Sequence, residues 1–384
     1  MTYHKDPIRY GMVGGGKTGL IGKVHRISAE MFDRFKLSAG VFSSNPEISL
    51  ESALEWGVSP DRNYRTFEEM AARESERPDG IQAVVITTPN HLHSGPIKAF
   101  ISKGIHVICD KPLTTSLAEA RDINAVVQQS GRVFMMTYCY TGYPLVREAK
   151  ARILRGDIGE IKMVKVEYPQ GHLATPMEET GQKMFQWRTD PARSGQGGTI
   201  ADIGSHAYHM LRFVTGLKVK SVSAELSSMV KGRRVDDNGI VNLRLENDAV
   251  GLIWASQVAI GHENSLNFKV YGDQGSLEWS HQDPSKLWFY QLNKPKQLIT
   301  RGSPETTFEA QRVTHQPAGH PEGYYEAFAN LYLEAARAIF FVDNNQEIPP
   351  EVDYPGIKDG FDGMEFIFAS IESSRKNCAW VDLG

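Results

Sequence analysis

The stretch IRYGMVGGGKTG, residues 8–19, decides how this chain is read. Ile8–Gly14 has the make-up of a strand that runs into glycines, and Gly19–Phe32 that of a helix. Between them Gly14-Gly15-Gly16-Lys17-Thr18-Gly19 fits G-x-G-x-x-G. The pattern is weak alone; between a strand and a helix, at the head of a β–α series, it marks a dinucleotide-binding turn. Gly14 permits the tight turn, Gly16 lets the backbone approach a pyrophosphate, and Gly19 lets the helix pack close to the strand. The helix N-terminus then offers N–H groups and the positive end of its dipole to the phosphates. Lys17 and Thr18 ride on the same turn and join the nucleotide-binding set.

Outward from this turn, strand and helix signals alternate. Phe35–Phe42, Gln82–Thr87, Gly104–Cys109 and Val133–Tyr138 read as strands. Ser49–Trp56, Phe67–Arg73, Pro96–Lys103 and Leu117–Gln129 read as helices. The run QAVVIT is continuously apolar, the composition of a strand buried on both faces of a parallel sheet. Ser116 with Glu119 three residues on is a capping box. Such repeated units predict a right-handed, doubly wound sheet over residues 1–140. After the helix Pro144–Arg155 the pattern changes to strands in a row, from Ile161–Tyr168 to Gly275–Trp279, with late helices at Tyr324–Phe341 and Phe361–Arg375. This predicts an α+β domain over 141–384 on a largely antiparallel sheet. Gln282–Ala318 reads as loop.

Composition excludes several classes. The chain has 384 residues, 42 Lys and Arg against 46 Asp and Glu, and a net charge of −4. That balance gives no electrostatic reason for nucleic acid or an anionic membrane as partner. No apolar run approaches the ~20 residues of a membrane span. The first strand begins within a few residues of Met1, leaving no room for a signal peptide. Cys109, Cys139 and Cys378 are odd in number and far apart, which points away from disulfides and towards a reducing cytoplasm.

Three strand ends converge on the glycine turn, because ligands of such sheets sit at the carboxyl ends of the strands. The second strand ends in Phe42-Ser43-Ser44-Asn45-Pro46. It has neither the acid that usually binds a ribose 2′-hydroxyl nor an arginine for a 2′-phosphate. Ser43 and Ser44 can bond either group, but a dianionic phosphate without a cation is poorly compensated, so NAD is favoured over NADP. QAVVIT ends in Thr87-Thr88-Pro89-Asn90-His91-Leu92-His93, which adds Thr88, Asn90 and His93. GIHVIC ends in Asp110-Lys111-Pro112, which adds Asp110 and Lys111 to the nucleotide-binding set. A lysine there, flanked by Asp110, can hydrogen-bond a substrate hydroxyl and stabilise the alkoxide as a proton leaves. The plain alternatives are a snorkelling lysine, a turn asparagine and a helix-capping histidine.

In the second half, GGTIADIGSHAYHML (residues 197–211) sets Asp202, His206 and His209 on one face of a predicted helix, with spacings of four and three. Ile203, Ala207, Met210, Leu211 and Val214 form an apolar stripe beside them. His206 is the best base, since an imidazole titrates nearest neutral pH. Asp202 is placed to orient it or to hold a second hydroxyl, and His209 reads as packing. The same spacing suits a metal, with His91 and His93 as conceivable further ligands; nothing else in the chain demands one, and no metal is expected.

Taken together, GGGKTG, TTPNHLH, DKP and GGTIADIGSHAYH resemble the Gfo/Idh/MocA family, the glucose–fructose oxidoreductase and inositol dehydrogenase group, over nearly the whole chain. The resemblance implies a Rossmann domain followed by a domain with an open sheet. It implies hydride transfer between nicotinamide and a sugar or cyclitol carbon, and pairing of subunits through the second sheet as a homodimer or homotetramer. Lys111 matches the lysine of the family's Glu-Lys-Pro motif, with Asp110 in place of the glutamate, and a cis Lys111–Pro112 peptide is implied. Asp202 and His206 match its Asp-x-x-x-His pair. Ala318-Gly319-His320-Pro321-Glu322-Gly323-Tyr324 resembles a segment whose histidine reaches the substrate.

The loop between Tyr168 and Gly197 carries His172 and Arg188 and reads as a cover for the substrate. Of the aromatics Tyr140, Tyr143, Tyr168, Trp187 and Tyr324, most are expected in the core, and Tyr168 is a candidate substrate contact. Without an arginine cluster the substrate is expected to be neutral and polyhydroxylated: an inositol, glucose or a glucoside. Two other readings of the same residues are an NAD-dependent glycosidase that recycles its cofactor and a non-catalytic sugar sensor. Keeping Lys111, Asp202 and His206 argues against the sensor.

Overall fold

The computed structural model describes residues 6–17, 19–181 and 188–384. The chain forms two compact units: residues up to Cys139 with Tyr324–Phe361, and Tyr140–Gly323 with Asp362–Gly384. The first holds a five-stranded parallel sheet in the order β2-β1-β3-β4-β5. Its strands are β1 (Ile8–Gly14), β2 (Phe35–Val41), β3 (Ala83–Thr87), β4 (His106–Cys109) and β5 (Phe134–Met136). The helices are α1 (Leu20–Glu30), α2 (Pro46–Glu55), α3 (Phe67–Glu76), α4 (Ser94–Ile101) and α5 (Leu117–Ser130). All five residues of β3 are buried, as a strand covered by helices on both faces requires. Side-chain caps fix three helix starts: Asn45 for α2, Thr66 for α3 and Ser116 for α5. Asn45 followed by Pro46 starts α2 three residues before the apolar pattern suggests.

Register sets the site. Gly14 lies beside Thr87, Ile86 beside Cys109, and Cys109 beside Met136. The carboxyl ends of β1, β3, β4 and β5 therefore finish nearly level. The order reverses between β1 and β3, where open α/β sheets bind ligands.

The division differs from the expected 1–140 and 141–384. The long helix Tyr324–Asp343 packs on α1: the His25 ring and the Tyr332 hydroxyl hydrogen-bond at 2.6 Å, and Ser28 Oγ donates to the Tyr325 carbonyl at 3.1 Å. Met136 N also donates to Pro355 O at 2.8 Å. No local pattern announces such a return; it rests on long-range burial, with Tyr332 and Phe328 1% exposed.

The second unit is built on a nine-stranded sheet in the order β13-β12-β11-β10-β6-β9-β8-β7-β14. In chain order these are β6 (Ile161–Pro169), β7 (Val219–Ser227), β8 (Asn238–Leu245), β9 (Val250–Ser256), β10 (Asn267–Gly272), β11 (Gly275–Ser280), β12 (Lys286–Gln291), β13 (Gln297–Thr300) and β14 (Val381–Asp382). All neighbours are antiparallel except β6 and β9. β12 and β13 lie in the stretch expected to be loop. The signal was present: KLWFYQ alternates, with Leu287 and Phe289 buried and Trp288 and Tyr290 turned outward. The helix Ser205–Thr215 packs across β6. The far face of the sheet leaves Met163, Ile240, Val250, Tyr271 and Leu298 exposed. Among the described residues no helix is long and apolar enough to cross a membrane.

Candidate active site

The glycine turn is built as a cradle. Gly14 and Gly15 sit at φ +83° and +68°, where a side chain is strained. A Cβ on Gly16 would come within 2.8 Å of the Phe42 carbonyl and of Ser52 Oγ. The close helix–strand approach falls to Gly22 and not to Gly19. A Cβ on Gly22 would overlap the Gly15 carbonyl, whereas one on Gly19 meets nothing nearer than 3.3 Å. The turn is also tied sideways to β2 and α2, since Gly16 N donates to Phe42 O at 3.1 Å and Lys17 N to Ser52 Oγ at 3.1 Å. Thr88, just past the end of β3, keeps its Oγ1 buried without a hydrogen-bond partner among the described residues. A backbone cradle closed to side chains, with an orphaned hydroxyl beside it, fits a dinucleotide phosphate and nicotinamide arm. Ser43 Oγ accepts from Asn45 N at 3.1 Å, and Ser44 is exposed next to it. Thr18 lies outside the described residues.

At the end of β4 the Asp110 carboxylate organises the turn that carries Lys111. Its Oδ1 accepts from Lys111 N at 2.9 Å and from the Thr137 hydroxyl at 2.9 Å. Asp110 thus serves the backbone of the turn, a role its length satisfies where a glutamate was expected. The Lys111–Pro112 peptide is cis, and Lys111 is half-buried. His93 departs from its expected part in nucleotide binding. Its ring is fully buried, with Nε2 2.9 Å from the Thr88 carbonyl and Nδ1 3.1 Å from that of Pro112. It fills the space between the ends of β3 and β4, and burial lowers its pKa, which favours the neutral ring with one N–H to give to a carbonyl. Asn90 sits half-buried in the single turn Asn90–Leu92, where its carbonyl accepts from His93 N at 3.3 Å. Burial raises the Cys139 thiol to about 12, so this cysteine is inert.

In the second unit the predicted stripe begins on a π turn, Ile200–Gly204, which runs into the helix Ser205–Thr215. Wider turns of this kind often mark functional positions. Asp236 caps the start: its carboxylate accepts from Gly198 N at 2.6 Å and Ile200 N at 2.7 Å. Burial pushes this carboxyl up to about 6 against those hydrogen bonds. Asp202 is half-buried, and Gln257 Nε2 donates to its Oδ2 at 2.9 Å. Gln257 is fixed in turn by the Thr199 hydroxyl at 2.8 Å. His206 is 8% exposed, with the Tyr140 ring edge-on at 5.1 Å and Tyr168 at 6.2 Å.

Behind His206 stands a stiff polar wall. The Tyr140 and Tyr168 hydroxyls hydrogen-bond each other, Tyr168 donates to Asn264 Oδ1 at 2.7 Å, and Asn264 Nδ2 donates to Tyr140 at 3.1 Å. In this closed ring of three, Tyr140 donates to Tyr168, so each hydroxyl gives one hydrogen bond and accepts one. His281 extends it, with Nδ1 3.0 Å from the Asn264 carbonyl and Nε2 3.0 Å from the Tyr143 hydroxyl. That pattern assigns its proton to Nδ1. Tyr168, expected at the substrate, instead spends its buried hydroxyl in this ring. Asp236, Gln257, Asn264 and His281 were not singled out by sequence. Gln257 ends a predicted strand, which was its one signal; the others sit in turns without a pattern.

Partial burial and the Arg188 and Arg233 cations lower the pKa of His172, and Asp202 opposes them. Arg188 and Asp202 thus both act on His172. His209 is buried against Phe213, with ring centres 6.0 Å apart, and packs as expected. His320 is exposed on a turn whose base is a buried pair: Arg301 Nη1 donates to Glu322 Oε1 at 2.7 Å, and Arg301 Nη2 to the His320 carbonyl. Trp187 lies outside the described residues. Among the described residues no group of three or more His, Cys, Asp or Glu side chains is arranged to hold a metal ion.

Comparison with known proteins places both halves of the chain. The family model described as an oxidoreductase family with an NAD-binding Rossmann fold matches residues 8–138, and that of the GFO/IDH/MocA C-terminal domain matches residues 146–278. The chain is 33% identical over 380 residues to the uncharacterized oxidoreductase YfiI of Bacillus subtilis, covering 98% of this chain and 97% of that one. It is 45% identical to a crystallised oxidoreductase from Sinorhizobium meliloti, with a TM-score of 0.89 over 98% of this chain and 100% of that one. An inositol dehydrogenase homolog from Azotobacter vinelandii, crystallised with NADH and myo-inositol, is 33% identical, with a TM-score of 0.92 over 99% of this chain and 98% of that one. The cradle, the lysine turn and the Asp–His segment thus sit in a chain that belongs to the Gfo/Idh/MocA family of oxidoreductases and carries its NAD-binding Rossmann domain.

Proposed function

We propose that the protein oxidises a secondary hydroxyl of a neutral sugar or cyclitol, with NAD preferred to NADP. The observation that carries this reading is the Asp202–His206 segment, with the carboxylate oriented by Gln257 at 2.9 Å and the imidazole backed by Tyr140. Bound NAD supplies the hydride acceptor. His206 takes the hydroxyl proton, and Asp202 holds the imidazole or a neighbouring hydroxyl in line. Lys111, presented by the Asp110 turn, donates a hydrogen bond to the same oxygen and stabilises its developing charge. A positioned base of this kind contributes about 10²–10⁴-fold. The myo-inositol of the Azotobacter vinelandii relative supports the substrate class. In this reading the enzyme works in the cytoplasm, His172, Arg188 and His320 approach the substrate, and subunits pair through the apolar far face of the second sheet.

The test is a cofactor-reduction screen over inositols, D- and L-glucose and simple glucosides, with both nicotinamide cofactors. Stoichiometric cofactor reduction is expected. Glycoside cleavage without net reduction would instead reveal a cofactor-recycling glycosidase, and sugar binding without either reaction a sensor. Lys111→Ala and His206→Ala should each lower turnover at least tenfold, the factor that ~1.4 kcal/mol represents. Turnover near that of the unaltered enzyme in either variant would remove that residue from the chemistry.

A further inference from the structure

The glycine turn carries its own cation, and the protein has already used it. Lys17 Nζ forms an ion pair with the Glu51 carboxylate of α2. Both side chains reach solvent, at 36% and 57% exposure. The Lys17 backbone is held in the same place by its N–H bond to Ser52 Oγ, and Gly16 is bonded to the Phe42 carbonyl. The pair therefore stands against the segment that leaves β2, Phe42-Ser43-Ser44-Asn45. At that strand end a dinucleotide fold meets the adenosine ribose and, in NADP, its 2′-phosphate.

Two features there would normally welcome a phosphate, and both are neutralised. One is the N-terminus of α2. Its N–H groups on Glu47 and Ile48 are taken by Asn45 Oδ1 at 2.9 and 3.3 Å, and Glu47 brings negative charge into the first turn. The other is the Lys17 ammonium, whose pKa is raised first by its hydrogen bond to Glu51, with the Glu51 and Glu55 charges adding to it. Glu47, Glu51 and Glu55 follow one another at a spacing of four, so α2 presents an acidic stripe, all three exposed.

We propose that the Lys17–Glu51 pair, backed by the Glu47–Glu51–Glu55 stripe, is the device that discriminates against NADP. It holds the turn's cation in an internal pair and sets carboxylates where a 2′-phosphate would sit. The 2′-hydroxyl of NAD is neutral and meets no such repulsion. This deepens the proposed NAD preference and rests on the nucleotide-binding role of the turn.

The experiment is a fluorescence titration of the full chain with NADH and with NADPH, without substrate, at low and at high salt. In Glu51→Gln the carboxylate is gone and Lys17 is released. NADPH should bind about tenfold tighter relative to NADH, and most of that gain should vanish at high salt, where exposed charges are screened. In the double variant Glu51→Gln with Lys17→Gln only the part of the gain that comes from removed repulsion should remain, which separates it from the part due to the released cation. A thermal melt checks that each variant is folded. A folded Glu51→Gln protein whose NADPH-to-NADH affinity ratio stays within about twofold of the unaltered one would overturn the proposal. So would a double variant that keeps the whole gain, since the Lys17 cation would then contribute nothing. An unaltered protein that binds neither nucleotide would sink the nucleotide reading of the turn, and this inference with it.

Discussion

Gln257 shows how much of this site is decided one side chain at a time. It is 3% exposed, and its amide bridges the Thr199 hydroxyl and the Asp202 carboxylate. Replacing it by leucine leaves both without that partner in a buried place, a loss of about 1–3 kcal/mol each way such groups are counted. Gln257→Leu should therefore unfold at lower denaturant and turn over at least tenfold more slowly, because Asp202 loses the hydrogen bond that orients it. Gln257→Glu sets a like charge on Asp202 and should raise the pH at which activity appears; parallel denaturation curves and pH–rate profiles check both. Asp202 and His206 were legible in sequence because a helical spacing and a titratable pair can be read from letters. Gln257 was not, because its meaning comes from a partner 55 positions away.

Two elements carry predictions of their own. In the turn between β1 and α1 the third glycine of the motif is not the critical one. Gly22→Ala forces a methyl into the Gly15 carbonyl and should destabilise the protein by about 1–3 kcal/mol and weaken NADH binding. Gly19→Ala meets its neighbours at 3.3 Å from an extended backbone and should be tolerated within about 1 kcal/mol. Melting temperature and an NADH titration distinguish the two. The start of the Asp–His segment is governed by Asp236. Its folded-state pKa is about 6 against an ordinary 3.8, so between these values the native state keeps a proton that the unfolded chain has lost. The stability from this group is fully present below the unfolded pKa and is lost as pH rises through about 6. The difference in unfolding free energy between the unaltered protein and Asp236→Asn should change across that window and be flat above it. The helix positions and the parallel strands were legible because caps, glycines and apolar runs act locally. The π turn was not, since it depends on a carboxylate 36 positions further along the chain.

At the scale of the whole molecule, the second sheet leaves Ile240 41% and Val250 51% exposed beside Met163, Tyr271 and Leu298. In the proposed reading this is the face through which subunits pair. Ile240→Lys together with Val250→Lys should lower the mass measured by light scattering to that of one 42.8 kDa chain, with the monomer fold kept by circular dichroism. The sequence by itself determined the parallel nucleotide-binding sheet, the change to antiparallel strands and the residue types offered for proton transfer. Each of these is written in short-range periodicity, in turn glycines and in strand-end motifs. Only the tertiary structure decided that Tyr324–Phe361 returns to the first unit, that Gly22 and not Gly19 closes the helix onto the turn, and that His93 and Tyr168 serve as struts. The physical reason is the same in each case. These outcomes depend on which buried donors, acceptors and carbons meet across long stretches of chain, and local propensity carries no record of that pairing.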